Sequence, residues 1–177
     1  PRRKELLALV TPEFSVATSD VDESAISAPT PVLLVQKLAH AKCHAVAVQH
    51  PSACVLGCDT VVDVDGEVLG KPCDRGQAAQ MLRRLSGRRH TVVSGVTLRT
   101  PGRTHTFAAK SSVWFRPLAD EEIAYYLDAC RPYDKAGSYG IQEWIGYAAI
   151  EKINGSFYNV MGLPIQKVYT ELDKFLK

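Results

Sequence analysis

One carboxylate interrupts a segment of the chain that is otherwise apolar. Asp59 lies within residues 53–64 (ACVLGCDTVVDV), a run rich in β-branched residues that is typical of a buried strand. Burying a carboxylate without a partner costs roughly several kcal/mol, so Asp59 requires a cation or hydrogen-bond donors. An aspartate that ends a strand and hydrogen-bonds a turn has the same local pattern. A role for Asp59 in chemistry therefore has to be argued from the residues around it.

Basic side chains occur where they could meet this carboxylate. Lys42 falls on the apolar face of a predicted helix, and Lys71 lies in a Gly-Lys-Pro turn. Either lysine could form a purely structural ion pair with Asp59. Arg2 and Arg3 stand at the start of another predicted helix, where backbone N–H groups favour anions. Because arginine binds phosphate oxygens with parallel hydrogen bonds and lysine adds a point charge, the four cations together predict a polyphosphate site.

Two further groups of polar residues could contact a nucleotide or its metal. Gln142 ends an irregular segment, residues 134–142 (DKAGSYGIQ), and its amide offers the donor and the acceptor that match the O4/N3 edge of uracil or thymine. An ordinary surface loop would have a similar composition. Asp20, Asp22 and Glu23 form an acidic cluster whose oxygens could hold Mg²⁺, although a solvated surface is the alternative.

Helical and strand-like patterns alternate along the chain and predict a mixed α/β architecture. Helices are predicted at residues 1–10, 30–48, between Asp74 and Gly87, at 120–130 and from 163 onward. Strands are predicted at residues 53–64, 67–69, 90–98, 104–115, 148–153 and 156–160, with turns at Asp65-Gly66, Pro101-Gly102 and Asn154-Gly155. We therefore expect a sheet flanked by helices in one domain.

The helix over residues 30–48 positions one of the candidate cations. Its predicted buried stripe is Leu34, Leu38, Ala41, Ala45 and Val48. Lys42 projects within this apolar arc, whereas His40 and His44 project from the opposite face. The two histidines have the spacing of zinc ligands but lack a third ligand nearby, so no zinc site is expected.

Composition limits the classes of function. The 177 residues carry a net charge of only +2 without a basic stretch, which predicts a small-molecule partner and no nucleic acid. The five cysteines are odd in number and contain no C-x-x-C pair, which favours a reducing, cytoplasmic compartment. No apolar run approaches the ~20 residues needed to span a membrane, so we expect a soluble protein without a membrane partner.

Motifs along nearly the whole chain resemble those of the Maf proteins, which are nucleoside triphosphate pyrophosphatases. The matching segments are PRRKELL, SDVDE, LAHAKCHAVA, GCDTVV, GEVLGKPCD, MLRRLSGRRHTVVSGV, DKAGSYGIQ and INGSFYNVMGLP. They occur in one order from the first residue to beyond Pro164. The segment DKAGSYGIQ in particular is similar to that of the branch acting on dTTP and UTP.

The resemblance implies a fold, a reaction and a set of site residues. The implied fold is a mixed, curved sheet related to that of inosine-triphosphate pyrophosphatase, over residues 1–177 as one domain. The family is commonly homodimeric and dependent on a divalent cation, Mg²⁺ or Mn²⁺. Asp59 resembles the family's proton acceptor and Thr60 a specificity position beside it. The implied substrate contacts are Arg2 with Arg3, Lys42, Lys71 and the base-reading Gln142.

Three features depart from the family pattern. The opening strand and the serine that precede the first arginine motif in the family are absent from this sequence. After Gln142 the chain carries Glu143-Trp144-Ile145, where the family usually has a small glycine-rich turn. Cys58 replaces the usual small residue before Asp59, and we interpret it as buried packing because no activating histidine accompanies it.

These observations combine into one mechanistic hypothesis. Asp59 would orient or deprotonate a water molecule, directly or through Mg²⁺ held with Asp22, for in-line attack on the α-phosphorus, with pyrophosphate leaving. Arg2, Lys42 and Lys71 would stabilise the developing charge. The alternatives are a pyrophosphatase for purine or modified nucleotides, and a nucleotide-sensing regulator of cell division that binds without turnover.

Overall fold

The computed structural model describes residues 2–11 and 13–177, which form an α/β structure with helices flanking a sheet, as predicted. The α-helices are α1 (Arg2–Ala8), α2 (Pro31–Gln49), α3 (Arg75–Leu85), α4 (Asp120–Cys130), α5 (Trp144–Ala149), α6 (Phe157–Met161) and α7 (Ile165–Leu176). The strands are β1 (Val55–Val64), β2 (Glu67–Leu69), β3 (Arg89–Thr100), β4 (Arg103–Phe115) and β5 (Ile150–Asn154). Short 3₁₀-helices lie at Glu23–Ala25 and Ala136–Ser138. Pro1, predicted to open the first helix, lies outside the described residues.

The five strands form a sheet in the order β2-β1-β3-β4-β5. Strands β1 and β2 pair antiparallel, with Val62 opposite Leu69, and β4 and β5 also pair antiparallel. The predicted turn between β1 and β2 is confirmed, because Asp65 and Gly66 have φ values of 53° and 82°. Two successive residues with positive φ are the signature of a tight hairpin turn.

The chain divides into two compact units. One, here called unit 1, contains Pro1–Thr60, Val93–Ala109 and Gly162–Lys177. The other, unit 2, contains Val61–Val92 and Lys110–Met161. Strands β1, β3 and β4 contribute residues to both units.

In unit 1, helix α2 packs unusually close to the strands through two glycines. A Cβ atom on Gly57 of β1 would lie 2.5 Å from the carbonyl oxygen of Ala39, and one on Gly95 of β3 would lie 2.3 Å from that of Val35. Such distances are far below van der Waals contact, so only glycine allows the helix backbone to approach here. The helix begins as predicted, with the Thr30 hydroxyl accepting a hydrogen bond from the Leu33 amide at 3.3 Å.

The predicted buried stripe of α2 is largely wrong. The buried residues are Val35, Leu38, Ala39, Cys43 and Ala47, whereas Val48 is 64% exposed and Leu34, Ala41 and Ala45 are only partly buried. The helix carries apolar residues on several sides, so periodicity alone does not select a face. The face is selected by the two strand glycines.

Unit 2 has its own hydrophobic core, to which helices α3 and α4 contribute. Leu82, Leu85, Tyr126 and Leu127 are fully buried in it. Helix α4 has the predicted bounds, and α3 begins after Asp74, whose side chain accepts a hydrogen bond from the Gln77 amide at 2.7 Å. Both predictions are therefore confirmed.

The predicted strand over residues 156–160 is wrong, because this segment forms helix α6. Asn159 is buried and donates through Nδ2 to the Val92 carbonyl oxygen at 3.2 Å and to the Ser111 hydroxyl at 3.0 Å. Gly155, at φ 124°, packs so closely on Lys110 and Ser111 that a Cβ atom would be 2.7 Å from the Ser111 hydroxyl. These tertiary contacts override the β-propensity of the aromatic and β-branched residues in the segment.

Candidate active site

Asp59 is buried on β1 within unit 1 and meets one of the predicted cations. Its carboxylate is only 7% exposed, and Oδ1 accepts a hydrogen bond from Lys42 Nζ at 2.6 Å. The close approach of α2 at Gly57, two residues before Asp59, places this lysine within reach of the strand. Of the two lysines that the sequence offered as partners of Asp59, Lys42 is the one that forms the ion pair.

Lys42 contacts a second carboxylate, which belongs to the acidic cluster of Asp20, Asp22 and Glu23. Its Nζ lies 2.8 Å from Glu23 Oε1, so one ammonium group joins two carboxylates. Burial lowers the pKa of Lys42, but the hydrogen bonds to Asp59 and Glu23 outweigh burial and leave the pKa above its ordinary value. The Asp59–Lys42–Glu23 cluster therefore contains a lysine that is protonated at neutral pH.

The Arg3 guanidinium contacts both chain neighbours of Asp59. Its guanidinium donates to the Cys58 carbonyl oxygen at 2.8 Å, to the Gly162 carbonyl oxygen at 2.9 Å and to Thr60 Oγ1 at 3.2 Å. These acceptors include both neighbours of Asp59 in the chain. Arg3 thus holds β1 in place around the carboxylate, an arrangement that sequence reasoning did not anticipate because the acceptors are distant in the chain.

Thr60 takes part in the same hydrogen-bond network. Its hydroxyl lies 2.8 Å from Ser94 Oγ on β3 and 3.2 Å from the Gly162 carbonyl oxygen. Arg2 occupies the first position of α1, is partly buried and has an interaction of its own. In unit 1 the structure therefore brings together Asp59, Lys42, Thr60 and Arg3.

Cys58 is packed as predicted. It is 7% exposed, and its thiol lies 3.5 Å from the Gly162 carbonyl oxygen, to which it donates. Burial raises the pKa of this thiol, so it stays protonated and is a poor nucleophile.

Asp22, predicted to hold metal, has a local structural role. The exposed carboxylate accepts hydrogen bonds from the Ser24 hydroxyl at 2.6 Å and the Ser24 amide at 3.1 Å, and these bonds lower the pKa of Asp22. It thereby caps the 3₁₀-helix that carries Glu23. Among residues 2–11 and 13–177, no group of three or more acidic, histidine or cysteine side chains forms a ready-made metal site.

The two remaining predicted residues lie in unit 2. Lys71 is exposed two residues after β2. Gln142 is partly buried, and in the described part of the chain its Oε1 has no hydrogen-bond partner. A Cβ atom at Gly140, two residues earlier, would lie only 3.0–3.2 Å from side-chain atoms of Glu143, Lys135 and Gln142, so this position is crowded.

Over residues 2–11 and 13–177, no helix is both long enough and apolar enough to cross a membrane.

Comparison with known proteins agrees with these features. The sequence matches the family model described as "Maf-like protein" over residues 1–175. A protein named dTTP/UTP pyrophosphatase from Porphyromonas gingivalis is 50% identical, over 99% of this chain and 90% of that protein. Proteins of the same name from Bacteroides thetaiotaomicron and Bacillus velezensis are 47% and 46% identical, over 98% and 99% of this chain and 91% and 92% of their own. The chain belongs to the Maf-like protein family.

Proposed function

We propose that this protein hydrolyses pyrimidine nucleoside triphosphates, dTTP and UTP among them, to the monophosphate and pyrophosphate. The observation that carries the proposal is a buried aspartate, Asp59, held at 2.6 Å by the charged Lys42 in a chain of this family. The relatives named dTTP/UTP pyrophosphatase, at 46–50% identity over nearly the full length, support the pyrimidine preference over the purine and sensor alternatives.

In the proposed reaction, Asp59 orients a water molecule for in-line attack on the α-phosphorus and accepts its proton. A bond forms between the water oxygen and the α-phosphorus, while the bond from that phosphorus to the oxygen bridging to the β-phosphate breaks. The electron pair of the broken bond leaves with pyrophosphate. The products are one monophosphate and one pyrophosphate, and no other reactant is consumed.

Lys42 supports this step through its charge. Its raised pKa keeps the ammonium protonated at neutral pH, so it can offset negative charge that grows on the phosphate oxygens. The two carboxylates that it contacts fix its position before substrate binds. Such preorganised charge is usually the largest contribution to phosphoryl-transfer catalysis.

A divalent cation, Mg²⁺ or Mn²⁺, fits the donor set as a partner of the substrate. Asp59 and Glu23 place two carboxylates around one ammonium group, and Mg²⁺ typically binds through one or two carboxylates together with substrate phosphates and water. Asp59 and Glu23 would hold it, with Asp22 as the further candidate from the sequence. The bound cation would supply Lewis acidity at the phosphate oxygens.

The other predicted residues are proposed to bind the triphosphate or the base. Arg2, Arg3 and Lys71 contact the triphosphate, although the three hydrogen bonds of Arg3 within unit 1 favour a supporting role for that residue. Gln142 reads the pyrimidine base, for which its unpartnered Oε1 is a suitable acceptor. Thr60 contributes to specificity.

The proposal also covers the cellular compartment and the oligomeric state of the protein. All five cysteines are free thiols, which supports a cytoplasmic location. We further expect a homodimer, following the resemblance to the family.

The proposal is tested by the position of bond cleavage across a panel of triphosphates. Turnover of dTTP, UTP, CTP, ATP, GTP and inosine triphosphate in ¹⁸O-water, with and without Mg²⁺, should release pyrophosphate fastest from dTTP and UTP. The label should enter the monophosphate, because attack is on the α-phosphorus. Label in the pyrophosphate, or faster turnover of purines, would contradict the proposal, and tight calorimetric binding without product would support the sensor alternative.

A further inference from the structure

Gln142 lies in a tight turn whose geometry is fixed by its own backbone. The Glu143 amide donates to the Gly140 carbonyl oxygen at 3.0 Å, which makes Ile141 and Gln142 the two central residues of a four-residue turn. Ile141 is 4% exposed and packs in the core of unit 2. Burial of Ile141 therefore anchors the first half of the turn. The direction of the Gln142 side chain depends on the contacts of Glu143, the last residue of the turn.

The carboxylate of Glu143 closes a polar network around this turn. Its Oε1 lies 2.8 Å from Lys135 Nζ, and its Oε2 accepts a hydrogen bond from the Tyr126 hydroxyl. The same hydroxyl accepts a hydrogen bond from the Gly140 amide at 3.0 Å. The first and last residues of the turn are thus joined through one tyrosine. We call these four residues, Tyr126, Lys135, Gly140 and Glu143, the Glu143 network.

The network is buried, so its bonds are strong enough to fix geometry. Tyr126 is 0% exposed and Lys135 is 8% exposed, while the Glu143 side chain is 20% exposed. Burial, followed by the hydrogen bond to Glu143, raises the pKa of Tyr126, so its hydroxyl remains a donor. A buried ion pair adds little net stability, because desolvation offsets attraction, but it can specify one conformation.

The amide of Gln142 packs directly against this network. A Cβ atom added at Gly140 would lie 3.0 Å from Glu143 Cδ, 3.0 Å from Lys135 Cε and 3.2 Å from Gln142 Nε2. The three side chains therefore converge on one point, and the nitrogen end of the amide lies beside the ion pair. In the described part of the chain, its oxygen Oε1 is buried and unpartnered.

We propose that Glu143 is a positioning residue that sets the Gln142 amide for base recognition, an inference that rests on the proposed pyrimidine specificity. Removing its charge leaves the Lys135 ammonium, which also contacts Asp134 at 2.8 Å, without its ion pair to the turn, and it loosens the turn that carries Gln142. The amide then samples several orientations, and the preference for a base with an N3–H donor over cytosine, which lacks it, becomes weaker.

The test is the ratio of kcat/KM for dTTP to that for dCTP in Glu143→Gln and in wild type. The ratio is expected to fall about tenfold, the factor that corresponds to loss of one well-placed hydrogen bond. KM for dTTP should rise more than kcat falls, because the chemistry resides in Asp59. Glu121→Gln, which removes the same charge from an exposed position on α4, is the matched control and should keep the wild-type ratio.

A second variant keeps the test decisive if Glu143→Gln does not fold. Tyr126→Phe removes only the hydroxyl that joins Gly140 to Glu143 and retains the ring stacked near Trp144. It should shift the ratio in the same direction. A folded variant of either kind with the wild-type ratio would overturn the positioning role. Wild-type protein that cleaves no pyrimidine triphosphate would instead overturn the proposed function, so the two failures are distinguishable.

Discussion

At the scale of single residues, the arrangement around Asp59 depends on charged side chains that are buried or partly buried. Lys42 joins Asp59 and Glu23, and Arg3 donates to both chain neighbours of Asp59. An unpaired aspartate in this strand would be strongly destabilising, and the ion pair with Lys42 offsets part of that cost. The cation that stabilises the buried Asp59 is also one that a triphosphate would need.

A second buried titratable group lies in unit 2 and predicts a pH dependence of stability. His90 is 1% exposed, and its Nε2 lies 2.6 Å from the Tyr139 hydroxyl. Burial lowers the pKa of His90 from 6.5 to about 4. Because the unfolded chain takes up a proton that the folded chain resists, the stabilisation is complete above about pH 6.5 and is lost as pH falls towards 4.

His90→Gln should therefore flatten the decline of the free energy of unfolding between pH 6.5 and 4. The contribution of His90 over this range is roughly 3 kcal/mol, from a shift of this size. Urea unfolding of wild type and variant at several pH values measures it. The exposed His50→Gln should retain the wild-type slope. A His90 variant with that slope would show that folding does not lower the pKa of this histidine.

At the scale of elements, the sequence predicts best where local signals and packing agree. Helix α4 has the predicted bounds and the Asp65-Gly66 turn has the predicted position, because periodicity in the one and turn residues in the other agree with the packing. Residues 156–160 were assigned to a strand because their propensity favours one, but the buried Asn159 requires a helical turn to reach Val92 and Ser111. These two partners lie 67 and 48 positions away in the chain, which no local pattern contains.

Helix α2 shows how an element positions the site. Its buried face could not be derived from its own periodicity, yet the Lys42 position on that face was predicted correctly because a charge between Val35 and Leu38 is conspicuous. The approach of α2 to β1 depends on Gly57, where a methyl group would meet the Ala39 carbonyl oxygen at 2.5 Å.

Gly57→Ala should consequently move α2 away from β1 and destabilise the protein by about 1–3 kcal/mol, the usual cost of overpacking. Activity should fall as well, since the distance between Lys42 and Asp59 increases. Chemical denaturation gives the stability, and pyrophosphate release gives the activity. Gly70→Ala, where a methyl group would meet no atom within 4 Å, is the control for stability. Equal stability of the two variants would mean that the strand accommodates the methyl group.

At the scale of the whole molecule, family membership and the cluster in unit 1 support the same chemistry from independent observations. The family match covers residues 1–175, and the motif order that suggested it was visible in the sequence. The ion pair of Lys42 with Glu23 is not visible in the sequence, because Glu23 is one of several acidic residues in SDVDE. Only the 3₁₀-helix capped by Asp22 distinguishes Glu23 from the others. The Glu143 network was likewise hidden, although the unusual residues after Gln142 marked its place.

The proposed function requires that Asp59 acts in the chemical step rather than only in binding or folding. The most direct measurement is the kcat of Asp59→Asn for dTTP at saturating Mg²⁺, beside Asp65→Asn, an exposed residue of the same hairpin, as control. The kcat of Asp59→Asn should fall about 10²–10⁴-fold, the range for loss of a general base, with a much smaller change in KM and none in the control. A folded Asp59→Asn variant that releases pyrophosphate at the wild-type rate would contradict it.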